Sequence, residues 1–307
     1  MSSLSTGFIR SVFALADHIA PVTAGRLAFR LFCRTPSPRA MSAKEREAVA
    51  AAGPLMATAR VHRLRMRRGH ATAWLFRPAT RYPSGRTVLV LHGWRSRTEH
   101  MRPVIEALLD EGFRVVAIDL PGHGRSSGRQ LNLALAVEAA QLADQWFGPF
   151  AAIVGHSFGG AVAVNAVAGS IAGVPAIAAD RLALIGAPSS MPAIFEDFGR
   201  FLNLGPRAQT ALADEVRRVA GQPLSAYVGA EQLAALDSPT LVVHAPDGKE
   251  VPFSEAHAFE KAGSHVTLMR AAGLGHRRIM ADPHVAKAVA RFVATPLDTA
   301  GAADLAA

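Results

Sequence analysis

Cysteine is nearly missing from this chain: Cys33 is the only one in 307 residues. It has no partner for an internal disulfide, and it rules out a multi-cysteine zinc site. A chain of this length buries a sizeable core without such staples, so Cys33 reads as a small core hydrophobe. One thiol also suits a reducing compartment, and a cytoplasmic location is expected. Charge is sparse too, at 19 % of residues against 50 % apolar, which excludes a disordered or fibrous protein. No run of about 20 uncharged apolar residues exists to cross a membrane. The apolar start is broken by Asp17 and His18, which makes a poor secretory leader.

Lysine is scarce as well. Only Lys44, Lys249, Lys261 and Lys287 carry an ammonium, and the other 29 basic side chains are arginine. The basic residues crowd into the first half, where residues 1–150 hold 21 basic against 10 acidic side chains. They are scattered, and no nucleic-acid-binding motif accompanies them, so no nucleic-acid partner is expected.

Phe8, Val12, Leu15, Ile19 and Val22 recur at helical spacing. Residues 7–20 therefore read as an amphipathic helix. Packing of its apolar face on the body is favoured, with a weak membrane-surface contact as the alternative. Residues 34–39 form a linker, and 43–51 a short helix. The period then drops to two: Val61–Met66 and His70–Phe76 make a hairpin turning at Arg68-Gly69, with Arg63, Arg65 and Arg67 on a solvated face.

From Thr87 strands and helices alternate. Strands are expected at Thr87–Leu91, Arg114–Asp119, Phe150–His156, Leu182–Ile185, Thr240–Val243 and 265–269. Helices are expected at Glu99–Gly112, Leu133–Phe147, 159–168, 254–262 and 283–294. Short apolar strands separated by helices imply an α/β fold with a mostly parallel sheet buried on both faces. Between Pro188 and Leu236 the alternation stops, and helical pieces such as Arg207–Val219 read as an inserted cap. The expected organisation is a helical extension (1–58), a core (59–188 and 236–295), a helical cap (189–235) and a loose tail (296–307).

The strongest chemical signal is Gly155-His156-Ser157-Phe158-Gly159 at a strand-to-helix junction. A sharp turn there exposes a serine oxygen above the sheet, and its neighbours two residues away must lack side chains. Ser157 is the candidate nucleophile. Leu91-His92-Gly93-Trp94 ends an earlier strand, and the backbone N–H groups of Trp94 and Phe158 are the candidate oxyanion donors. His92 is read as structural. Ala272-Gly273-Leu274-Gly275-His276 follows the last strand and supplies the candidate base, His276. His265 and His284 are weaker candidates, and Cys/His clusters, a Walker loop and a dinucleotide fingerprint are all lacking. No metal or cofactor is expected.

These residues, with Asp119-Leu120-Pro121-Gly122-His123-Gly124, resemble those of α/β-hydrolase-fold serine hydrolases over roughly residues 60–295. The resemblance implies esterase- or lipase-like action on a small-molecule ester or thioester, with residues ordered Ser, acid, His. It places the acid four residues before the proline of Val251-Pro252, where Gly248 stands. Asp247, one residue earlier, is the favoured acid; Glu250 and no acid at all are the alternatives. Two rivals follow: a weakly active or non-catalytic binding protein on the same scaffold, and a membrane-associated lipase. C–C bond hydrolysis and perhydrolysis use the same residues and are not separated by the sequence. The oligomeric state is open.

Overall fold

The computed structural model describes residues 3–37, 41–81 and 83–296, with side chains from residue 7 onward. The 38–39 part of the expected linker and the tail beyond 296 lie outside the described residues.

Four helices lead: α1 (Ser3–Ile19), α2 (Pro21–Phe32), α3 (Ala43–Ala51) and α4 (Gly53–Thr58). The strands are β1 (Arg60–Arg65), β2 (His70–Phe76), β3 (Thr87–Leu91), β4 (Arg114–Asp119), β5 (Phe150–His156), β6 (Leu182–Ile185), β7 (Thr240–His244) and β8 (Val266–Arg270). The remaining helices are α5 (Arg102–Asp110), α6 (Leu133–Phe147), α7 (Phe158–Val167), α8 (Met191–Leu202), α9 (Pro206–Ala220), α10 (Gly229–Ala234), α11 (Phe253–Glu260), α12 (Gly275–Arg278) and α13 (Pro283–Ala294).

All eight strands form one sheet in the order β1-β2-β4-β3-β5-β6-β7-β8. The β1–β2 hairpin pairs Arg65 with His70 and joins β4 antiparallel; every later pairing is parallel. Strands β3, β5, β6 and β7 are buried along their whole length, which explains their continuous apolar runs. The two faces of the sheet carry separate cores. One holds Leu89, Leu91, Ile153 and Val162; the other holds Val88, Val90, Val154 and Val243. The parallel order brings the carboxyl ends of β3, β5 and β8 to the same end of the sheet, with β6 and β7 between β5 and β8, where this class of sheet binds its ligands.

Between β6 and β7 lie α8, α9, α10 and a short 3₁₀ turn, Leu224–Ala226, with no strand apart from an isolated bridge between Ser190 and Val228. Helix α9 packs mainly on α2. The approach is close because small residues line it: a side-chain carbon on Gly25 would sit 2.6 Å from Ala211 Cβ. Buried Asp17 accepts a hydrogen bond from the first-turn amide of Ala208 at 2.6 Å, and Glu215 takes Arg26 at 3.0 Å.

The apolar stripe of α1 departs from expectation. Phe8, Val12, Leu15 and Ile19 face solvent, with Phe8 72 % and Ile19 74 % exposed. Phe13 and Asp17 are buried instead, with Ile9 and Ala16 packed beside the core. Helix α1 is thus apolar on two faces, and spacing alone singled out the outer one. Helix α2 follows directly within the expected helical extension, and Pro21 opens it at its first position, where the missing N–H is not needed. Cys33 is buried at its end, where burial pushes the thiol up to about 12.

Candidate active site

Ser157 stands between β5 and α7 with φ 53° and ψ −123°. A non-glycine residue held there is strained, and surrounding structure must hold it in place. Its N–H donates to Ile185 O at 2.8 Å, and its own carbonyl accepts from Gly160 N at 2.9 Å. The flanking glycines are sterically required. A side chain on Gly155 would run into the Gly159 carbonyl, and one on Gly159 into the Leu91 carbonyl. On Gly160 it would meet Ala187 Cβ at 2.5 Å. The turn is therefore wedged between β3 and β6.

His276 lies across the turn, its Nε2 3.0 Å from Ser157 Oγ. It opens α12, with Gly273 (φ 79°) and Gly275 (φ 62°) bending the chain after β8. Burial is the main cause that lowers its pKa below the usual imidazole value; the charge of Glu250 works the other way. Its Nδ1 is buried without a hydrogen-bond partner.

The acid positions arrange themselves differently from one another. Asp247 Oδ1 accepts from Gly273 N at 2.9 Å, and Oδ2 lies 3.7 Å from where a side-chain carbon on Gly275 would sit. Asp247 thus braces the loop that carries His276 and makes no hydrogen bond to the imidazole. Glu250 receives Arg277 Nε at 3.1 Å. Gly186 (φ 56°) takes the space beside Nδ1: a carbon added there would lie 3.1 Å from it.

Gly93 brings the loop after β3 against Ser157, since a side-chain carbon on it would be 2.9 Å from Ser157 Cβ. Among the hydrogen bonds of the described residues, the N–H groups of Trp94 and Phe158 have no acceptor. The two rings stack edge-to-face at 5.3 Å. His92 is fully buried, with Nδ1–H donating to Gly93 O at 2.8 Å and Nε2 accepting from Leu120 N at 3.0 Å. It joins the strand ends and has no contact with Ser157. His123 does the same for Arg95 N at 3.1 Å. Asp119 accepts from Thr98 N, Arg125 N and Trp74 Nε1, all at 3.0 Å, and so pins the neighbouring loop.

His156 was missed in sequence. It occupies the variable place before the serine, which carries no spacing signal. Its Nε2–H donates to the His276 carbonyl at 3.1 Å, and the two rings lie 5.0 Å apart. Burial pulls its pKa down to about 3, so it is neutral and serves as a fixed donor.

Above the loop after β3 an apolar wall comes from three places in the chain. Phe32 of α2 packs on Trp94 at 5.5 Å and on Phe195 of α8 at 4.3 Å. Between Phe32, Phe158, Phe195, Met191 and Tyr227 is a cavity of about 20 Å³, room for one water molecule. Among the described residues no group of three or more His, Cys, Asp or Glu is placed to hold a metal ion.

Fold and site together define a hydrolase of the parallel-sheet class with a serine at its strand-to-helix turn. The model of the alpha/beta hydrolase family matches residues 88–295, and the chain belongs to that family. Over 246 residues it is 27 % identical to a pimeloyl-[acyl-carrier protein] methyl ester esterase of Xanthomonas axonopodis pv. citri, covering 69 % of this chain and 96 % of that protein. A shorter stretch of 82 residues is 40 % identical to the dihydrolipoyllysine-residue acetyltransferase component of an acetoin cleaving system from Cupriavidus necator, 26 % of this chain but only 22 % of that protein. Among solved structures, Est1E from Butyrivibrio proteoclasticus with bound ferulic acid superposes with a TM-score of 0.60 at 18 % identity, covering 76 % of this chain and 96 % of that one. That likeness concerns the fold alone.

Proposed function

We propose that the protein hydrolyses carboxylic esters through an acyl-enzyme on Ser157. The observation that carries this reading is the pairing of a strained, turn-borne Ser157 Oγ with His276 Nε2 at 3.0 Å. Ser157 O–H donates to Nε2, and His276 takes the proton as Oγ bonds to the acyl carbon. The oxyanion is held by the N–H groups of Trp94 and Phe158, a pair in which one donor is typically worth about 3 kcal/mol. Protonated His276 gives its proton to the departing alkoxide. Water, deprotonated by the same imidazole, then attacks the acyl carbon and frees Ser157. No step needs a cofactor.

Asp247 takes the acid's place in this reading. Its Oδ2 is free of hydrogen bonds, beside the glycine that precedes His276, and Gly248 and Gly275 give both loops freedom to bring it to Nδ1. The esterase relative supports an ester substrate, and the apolar wall of Phe32, Phe158 and Phe195 favours an apolar acyl group.

The test is labelling by a fluorophosphonate, followed by peptide mapping. Rapid one-to-one modification of Ser157, absent in Ser157→Ala, is expected. Folded protein that resists the probe would overturn the reading. The unpartnered Nδ1 favours one second reading, a weakly active or non-catalytic binding protein, and such resistance would bring it forward.

A further inference from the structure

The outer face of α1 and α2 has no counterpart in the reaction. Seven large apolar side chains lie exposed on these two consecutive helices: Phe8, Val12, Leu15 and Ile19 on α1, and Val22, Leu27 and Leu31 on α2. Elsewhere among the described residues only Val61, Trp146 and Phe201 are comparably exposed, and Phe201 adjoins α1, its carbonyl accepting from Arg10 at 2.8 Å. Such a concentration marks a docking surface.

Charge identifies the occupant. The only carboxylate in the two helices is Asp17, buried and engaged with Ala208 N. Between the helices an open apolar groove of about 620 Å³ runs past Phe8, Val12, Leu27 and Leu31. Three exposed arginines line it: Arg30, Arg34 and Arg129. Arg34 and Gln130 form a backbone bridge, and Thr35 N donates to Arg129 O at 3.1 Å, so the segment after α2 and the loop before α6 are tied together. None of the three guanidinium groups meets a carboxylate among the described residues. Apolar side chains with unneutralised guanidinium groups beside them, and no exposed acid on either helix, match the acyl boundary and phosphates of an anionic bilayer surface. No helix of the described residues is long and apolar enough to cross a membrane.

We propose that α1 and α2 form an interfacial platform that seats the protein on an anionic lipid bilayer, with Val12, Leu15 and Ile19 in the acyl boundary and Arg30, Arg34 and Arg129 on lipid phosphates. Binding is independent of ester hydrolysis and is read without it.

The experiment is sedimentation of the full chain with vesicles of phosphatidylcholine containing about one-third phosphatidylglycerol, beside pure phosphatidylcholine, at low and high salt. Expected is binding to the anionic vesicles alone, lost at high salt. At about 1 kcal/mol per surface arginine, the Arg30→Ala, Arg34→Ala double variant binds about thirtyfold less. The Val12→Ser, Leu15→Ser, Ile19→Ser variant also loses binding. Unfolding midpoints and fluorophosphonate labelling of both variants should match the parent, since none of these residues touches the site. No binding by the parent, or equal binding to both vesicle types, overturns the proposal. So does a dimer in sedimentation velocity that the serine variant dissociates while vesicles are ignored, because the face then joins two copies of the chain.

Discussion

His276 turns its Nδ1 toward Gly186, so closely that a side-chain carbon on that glycine would lie only 3.1 Å from it, tighter than ordinary contact. Gly186 follows β6 with φ 56°, a left-handed conformation that suits glycine, and its N–H is held by Val243 O at 2.7 Å. Replacement by alanine is strained twice, by backbone and by the imidazole. Gly186→Ala is expected to cost about 1–2 kcal/mol of stability from the backbone alone and to displace the ring from Ser157. The check is kcat for a soluble short-chain ester beside an unfolding curve; unchanged kcat would show that Nδ1 does not rest on this glycine.

The two candidate acids separate by mutation. Asp247→Asn should lower kcat by about 10²- to 10⁴-fold if its carboxylate orients His276 during turnover. Glu250→Gln breaks that residue's own exposed salt bridge to Arg277, and kcat should fall less than about threefold, since exposed pairs contribute little. Steady-state kinetics of both variants decide. Equal, small effects would leave a Ser157–His276 pair without an acid.

Burial lowers the pKa of His276, so its free-base form persists below the usual imidazole range. The acid limb of kcat/KM should therefore fall below pH ~6.5, the unperturbed value. Glu250 raises this pKa, so removing its charge in Glu250→Gln moves the limb to still lower pH. A limb above 6.5, or one that moves upward in the variant, would contradict the geometry.

Acid should also unfold the protein early. His92, His123 and His156 are buried and neutral, each with its pKa lowered chiefly by burial, His156 to about 3. The unfolded chain binds protons that the folded chain refuses, so stability is full above pH ~6.5 and falls as pH drops below it. Thermal midpoints measured from pH 7 down to pH 4 should decline steadily. A flat profile would mean that these rings are protonated in the folded state.

Phe32→Ala should widen the small cavity beside Phe158 and cost about 3 kcal/mol, the lower end for a phenylalanine because Phe32 is only partly buried. A shift of ester preference toward bulkier acyl groups, measured across a chain-length series, is the expected kinetic result.

The strands and their parallel order were legible because buried strands advertise themselves as short apolar runs, and the Gly-x-Ser-x-Gly turn because its glycines are sterically obligatory. Ser157 Oγ and His276 Nε2 lie 3.0 Å apart. What escaped depends on three-dimensional neighbours. Nothing in the spacing of Asp247 says that its oxygen would accept from Gly273 N, and nothing in that of His156 says that it would donate to the His276 carbonyl. The exposed stripe of α1 looked like a core-facing stripe because periodicity identifies a face without saying which way it points. Only the second apolar row, through Ile9 and Phe13, settles that in the fold.

On the proposed ester-hydrolase reading, Phe32 gives the leading helices a share in selectivity. The ring that closes over Trp94 comes from α2, ahead of the sheet in the chain, and it meets Phe195 of α8, more than 150 residues later. A version trimmed to start after the linker would keep nucleophile and base yet lose one side of the acyl enclosure. Such a molecule would be a broader and less discriminating catalyst, so exchanging the leading helices between relatives is a direct route to retuning what the protein accepts.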